Sequence, residues 1–255
     1  MKEKMKTKKK KGLIVVGVIA LVLALLIGGG FAYLYFNGMS GMSNTSEAQE
    51  GQIKVACIGD SITYGHGISN WPKNNYPVLL GNKMGESFHV QSFGVSGRAV
   101  QDNSDQPYRA LKHYQQSLDY NADIIVFMMG SNDSKPENWF GEEAFKTAVL
   151  ELLDSYLAGE NKPQIYLCTP ASAFFAEGYT GNLTSHDLQP EMVNVIADII
   201  REIAQERGYS LIDIHALTAQ HPEWFAEDGV HPSNEGAAAI ANEVYSVLSR
   251  EQEEK

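Results

Sequence analysis

The sequence predicts an α/β fold of three layers, with a doubly wound five-stranded parallel sheet between two layers of helices. Three observations lead there. Five short apolar runs alternate strictly with five longer segments of helical periodicity. The runs are apolar throughout instead of every second residue, as strands covered on both faces must be. Polar residues suited to chemistry stand just after the runs, at the carboxyl ends of the strands, where doubly wound sheets bind their ligands.

In chain order, the expected strands are Ile53–Ile58, Phe88–Phe93, Asp123–Met129, Gln164–Cys168 and Leu211–Ile214. Between them lie Tyr76–Met84, Pro107–Leu118, Glu142–Leu157 and Glu191–Arg207, each with apolar residues at spacings of three and four. A last helix is expected over Asn234–Ser249. Strict alternation of strand and helix is the pattern of right-handed crossovers on a parallel sheet. The domain therefore runs over about 53–250, with 251–255 as a charged tail. Cys57 and Cys168 fall inside expected strands and read as unpaired core thiols, not as a disulfide or metal site.

The chain has 255 residues and a formal net charge of −11. Residues 1–11 hold seven of its 20 basic and one of its 31 acidic residues, so the remainder has a net charge of −17. Such an acidic body repels phosphates and argues against nucleic acid as a partner. After the basic start, Gly12–Phe36 contains no charged side chain. As a helix this stretch would be about 37 Å long, enough to cross a hydrocarbon core of about 30 Å. Tyr33, Tyr35 and Phe36 stand at its far end, where aromatic rings favour the interface. The expectation is a basic cytoplasmic segment (1–11), a transmembrane anchor (12–36) and a flexible Gly/Ser-rich tether (37–52), with the domain outside the membrane. The stretch is longer than the apolar core of a cleaved signal peptide.

Four segments after strands contain candidate chemistry. The first is Gly59-Asp-Ser-Ile-Thr63, in which Gly59 permits a sharp turn and Ser61 begins a helix. Ser61 suits a nucleophile, and equally an N-cap. The second is Ser92-Phe-Gly-Val-Ser-Gly-Arg98, whose glycines allow close approach of backbone to a ligand or simply make turns. The third is Gly130-Ser-Asn-Asp133, where the Asn132 amide can donate to a developing oxyanion or cap a turn. The fourth is Asp228-Gly-Val-His231-Pro232. Its spacing lets the carboxylate reach the imidazole Nδ1–H, fixing the tautomer that leaves Nε2 free to take a proton. Full dinucleotide and phosphate-loop motifs are absent from the sequence.

These segments resemble the blocks of the SGNH or GDSL hydrolases, over Ile53 to about Leu248. The resemblance implies Ser61, His231 and Asp228 as catalytic triad, and Ser61, Gly97 and Asn132 as oxyanion donors. It also implies a flavodoxin-like strand order of 2-1-3-4-5 and ester hydrolysis with neither metal nor cofactor. Ser92 departs from the family, which usually has a loop-bracing Asn there. Gly94–Arg98, Gly130–Trp139 and Asp228–Gly236 look most similar to the sialate O-acetylesterase-like branch, which points to acetyl groups on carbohydrate.

Other readings stay beside this one. A lipase or lysophospholipase would need an apolar acyl channel, whereas Lys73-Asn-Asn and Asp102–Gln106 are polar. A catalytically silent carbohydrate-binding module would share the fold. Trp71, Trp139 and Trp224 can stack on a sugar ring or pack loops over the core. His66 follows the nucleophile closely and reads as a surface-loop histidine or as part of the entrance, Asp213 and His215 read as a structural pair, and Asp60 and Asp133 as braces of their turns.

Overall fold

The computed structural model describes residues 47–253 apart from 177, 179 and 180. The expected basic segment, anchor and most of the tether lie outside the described residues, among which no helix is long and apolar enough to cross a membrane. The end of the tether is a turn pinned to the domain, with Gln52 Nε2 donating to the Glu86 carbonyl at 2.8 Å.

Five strands form the sheet: β1 (Ile53–Gly59), β2 (Phe88–Gly94), β3 (Ile124–Met128), β4 (Gln164–Cys168) and β5 (Ser210–Ile212). Their order is β2-β1-β3-β4-β5 and every pairing is parallel, as the resemblance implies. The main helices are α1 (Ser61–Tyr64), α2 (Trp71–Asn74), α3 (Tyr76–Met84), α4 (Lys112–Asp119), α5 (Glu142–Leu157), α6 (Pro190–Arg207), α7 (Ile214–Thr218) and α8 (Asn234–Glu253).

Because side chains alternate across a strand, the apolar runs feed two separate cores. Ala56, Ile58, Ile125, Phe127, Ile165 and Leu167 point to one face, where Phe145, Val149 and Leu152 of α5 and Ile196, Ile200 and Ile203 of α6 cover them. Val55, Cys57, Val126, Met128, Tyr166 and Cys168 point to the other, under Leu80 of α3 and Ile240, Val244 and Leu248 of α8. Both cysteines are buried and unpaired.

Most boundaries fall within a residue of expectation, and three larger differences each have a local reason. The segment expected as one helix from Pro107 breaks at Leu111, whose extended backbone (φ −94°, ψ 149°) separates a 3-10 turn at Tyr108–Ala110 from α4. β5 stops at Ile212 because the Asp213 carboxylate accepts from Ala216 N–H and starts α7. α8 continues into the expected tail, where Glu251 accepts from Gln164 Nε2 at 2.8 Å and from Ser210 Oγ at 2.9 Å.

Two glycines let the first strand turn close against its neighbour. A Cβ on Gly59 would run into Thr63 Oγ1 and Met128 O, and one on Gly94 into the backbone of Thr63 and Tyr64. The ends of β1 and β2 can therefore approach the start of α1, which fixes where Ser61 stands.

Candidate active site

Asp60, and not Ser61, caps α1: its Oδ1 accepts from Ile62 N–H at 3.0 Å. Ser61 is thus the first helical residue, relieved of capping, and its side chain turns toward the carboxyl edge of the sheet. Ser61 Oγ lies 3.0 Å from His231 Nε2, and both side chains are buried. Burial pushes the Asp60 carboxyl up to about 6, against the pull of the Ile62 N–H bond and the nearby His231.

Asp228 and His231 stand on a loop that closes on itself. A bridge pairs Phe225 with Pro232, Ala226 N–H donates to His231 O at 2.8 Å, and Gly229 N–H donates to Ala226 O at 2.9 Å. Gly229 sits at φ +70° with no room for a Cβ beside Phe174 O, so only glycine serves there. This turn delivers Asp228 Oδ2 to 2.7 Å from His231 Nδ1, while Oδ1 accepts from Val230 N–H at 2.8 Å and His231 N–H at 2.9 Å. Partial burial alone would raise the Asp228 carboxyl; the bonds from the His231 side chain and the two backbone N–H groups outweigh it and hold the group well below the usual carboxylate range.

Gly97 and Asn132 complete the floor. Gly97 has φ +77° and lines the cleft together with Ser61, Ser96, Ser131 and Asn132. The Asn132 amide is aimed by its neighbours. Its Nδ2 donates to Arg98 O at 3.1 Å, and the Asn132 backbone carbonyl accepts from Asn138 Nδ2 at 3.0 Å. Asn138 in turn bonds Asp105 in both directions, at 2.8 and 2.9 Å, tying the loop after β3 to the loop after β2. Asp133 does not brace its own turn as the sequence suggests. It reaches across to accept from Val100 N–H at 2.9 Å and Gln101 N–H at 3.1 Å, and burial pushes its carboxyl up to about 7. Ser92 donates to Thr63 O and accepts from Gly94 N–H, both at 3.3 Å, linking the end of β2 to the turn bearing Ser61.

Ser61, Gly97, Asn132, Asp228 and His231 therefore come together. The three tryptophans do not join them in the cleft lining. Trp71 packs 4.8 Å from Tyr64, Trp139 lies 6.2 Å from Phe145, and Trp224 stacks 3.7 Å over His221. Asp213 is bound by Arg201 through two bonds of 2.9 Å, and His215 Nε2 meets Asn194 Oδ1 at 2.8 Å, as the structural reading of that pair expects.

Two further histidines line the cleft, and of these the sequence singled out His66 but not His186. His66, expected on the surface, is half-buried with its ring centroid 4.4 Å from that of His231. Burial first, then the neighbouring His231 and His186, pushes its imidazole below the ordinary value. His186 lies in the loop between β4 and α6, with Nε2 3.2 Å from Asp228 Oδ2. Its only sequence signal is its place after a strand. Ligand atoms of His186, Asp228 and His231 lie within 4.8 Å of one another. Their arrangement suits hydrogen bonding: both ring nitrogens face one carboxylate oxygen, and a metal would need both nitrogens without their protons.

The cleft has a volume of about 120 Å³ and mixes apolar walls (Ile62, Leu188, Val230) with polar ones (His66, Lys135, His186).

Comparison with known proteins bears on the family and the fold. The chain is 33% identical over 217 residues to an acetylxylan esterase from Xylanibacter ruminicola, spanning 78% of this chain and 44% of that protein. The chain thus matches less than half the length of that relative. A carbohydrate acetylesterase family member from Sinorhizobium meliloti superposes with a TM-score of 0.64 at 20% identity, over 78% of this chain and 98% of the other. A lipase/acylhydrolase from Enterococcus faecalis gives 0.62 at 20% identity, over 78% and 97%. At such identity these two likenesses concern the fold. The profile of the GDSL-like lipase/acylhydrolase family matches residues 57–239, and the chain belongs to that family.

Proposed function

We propose that this chain is a serine esterase that removes short acyl groups, acetyl above all, from carbohydrate. The observation that carries the reading is the unbroken series of contacts from Asp228 Oδ2 to His231 Nδ1 (2.7 Å) and from His231 Nε2 to Ser61 Oγ (3.0 Å). Ser61 Oγ attacks the ester carbonyl as His231 Nε2 takes its proton. Asp228, held ionised by the His231 side chain and the Val230 and His231 backbone N–H groups, stabilises the imidazolium that results. The tetrahedral oxyanion takes hydrogen bonds from the Ser61 and Gly97 N–H groups and the second N–H of Asn132. His231 then protonates the departing alcohol, and water enters by the same steps to release the acid.

Asn132→Ala should lower kcat by about 10²–10³, the usual effect of removing one oxyanion donor, and leave KM nearly unchanged. Unchanged kcat in that variant would remove Asn132 from the oxyanion hole.

The size of the cleft supports a small acyl group. Its volume of about 120 Å³ lies below the 300 Å³ or so at which sites for drug-sized ligands begin. The resemblance of Gly130–Trp139 to the sialate O-acetylesterase-like branch and the acetylxylan esterase relative favour acetyl groups on sugars. Initial rates on p-nitrophenyl acetate, butyrate and octanoate should fall in that order, with acetylated oligosaccharides deacetylated and their backbones left whole. Preference for octanoate would sink the acetyl reading and favour a lipase.

Location rests on the sequence. Seven Lys in residues 1–11 followed by the uncharged Gly12–Phe36 favour an uncleaved anchor with the domain outside. Alkaline extraction should leave the full chain in the membrane fraction, and protease added to intact cells should release the domain. Full recovery in the soluble fraction would overturn this.

A further inference from the structure

We infer that His186 is a positioning residue of the triad: its Nε2–H donates to Asp228 Oδ2 and, through that carboxylate, holds His231 in line with Ser61. The inference rests on the serine-esterase reading and extends its relay from three groups to four.

Three observations point this way. First, Asp228 Oδ2 is shared. It lies 2.7 Å from His231 Nδ1 and 3.2 Å from His186 Nε2, while Oδ1 is occupied by two backbone N–H groups. An ionised carboxylate with donors on both oxygens cannot rotate, and it is Oδ2 that fixes the His231 tautomer. Second, the two imidazoles meet edge to face, with ring centroids 4.7 Å apart at 86°, so His186 also limits swinging of the His231 ring. Third, the segment bearing His186 is built to present it. The buried Thr184 Oγ1 accepts from His186 N–H at 3.3 Å and Leu188 N–H at 3.1 Å. Thr184 N–H also donates to Leu188 O at 2.8 Å. Asp187 is held at φ +62°, a conformation costly for a residue with a Cβ. Gln189 Nε2 then ties the segment to Ser134 O, beside the Asn132 turn, at 2.9 Å.

A bond that merely fastened this loop would affect stability and nothing else. A donor acting through Asp228 makes a different prediction. His186→Ala should lower kcat on p-nitrophenyl acetate about tenfold, at the low end for a hydrogen bond to a charged group because the ring is partly exposed, with KM unchanged. His186→Gln places an N–H donor near the position of Nε2 and should recover most of that loss. In an Asp228→Ala background, His186→Ala should change kcat less than twofold, because the group it acts on is gone. The rate of Ser61 labelling by a fluorophosphonate should follow the same pattern. An equal loss in both backgrounds, no rescue by glutamine, or wild-type kcat in His186→Ala would each overturn the inference. Failure of the triad reading would look different, since Ser61→Ala would then retain activity whatever stands at position 186.

Discussion

Replacing Ser61 with alanine is expected to lower kcat for ester hydrolysis by about 10⁶, the scale seen when a serine nucleophile is lost, with little change in fold stability. The second half of this expectation comes from the cap. Ser at a strand-to-helix turn is commonly an N-cap, and removing a cap costs about 1 kcal/mol. Here Asp60 accepts the Ile62 N–H, so Ser61 gives α1 no capping bond. Among the described residues its hydroxyl is bonded to His231 Nε2, 3.0 Å away. Alanine keeps the Cβ and fills nearly the same volume, so the thermal midpoint should move by no more than a degree or two. Activity and labelling by a fluorophosphonate should disappear together. Turnover like that of the wild type would end the nucleophile assignment. A folded, inactive variant that still retained acetylated oligosaccharide on a column would separate binding from chemistry.

The sheet was legible because burial on both faces leaves one simple trace, an unbroken apolar run. Val55–Ile58 and Ile124–Met128 are buried at every position, so no periodicity had to be recognised. The ends of elements were less legible, since single polar residues decide them. Asp213 could continue a strand or cap a helix, and only the nearby Ala216 N–H settles it. The same asymmetry holds in the site. Ser61, Asp228 and His231 could be read because their spacing and position after strands have a chemical reason. Asp133 and Asn138 could not, because their partners Val100, Gln101 and Asp105 lie more than 30 residues away in sequence and no local pattern encodes the contact. His186 was hidden for a related reason. The path from β4 to α6 is long, and nothing in Thr184–Leu188 announces that it folds back onto Asp228.

Asp228→Asn is expected to lower kcat by about 10⁴ although it alters few atoms, and the arrangement of donors explains why. Oδ1 accepts two backbone N–H groups, from Val230 and His231, at 2.8 and 2.9 Å. An asparagine there must place its carbonyl oxygen at that position, because an amide nitrogen would set donor against donor. Its NH₂ group then occupies the Oδ2 position, facing His231 Nδ1 and His186 Nε2. To accept from that amide, His231 must give up its Nδ1 proton and carry the proton on Nε2. Nε2 then has no lone pair for the Ser61 hydroxyl, and the general base is lost while every group remains in place. The variant should bind substrate with near-normal KM and react with a fluorophosphonate far more slowly than the wild type. Since the hydrogen bonds hold the Asp228 carboxyl low, the carboxylate of the wild type stays ionised across the working range. No separate step from Asp228 should therefore appear in the kcat profile on acidification through the ordinary carboxylate range. Near-normal kcat in Asp228→Asn would mean that His231 does not depend on this carboxylate for its tautomer, and the base would have to be assigned elsewhere.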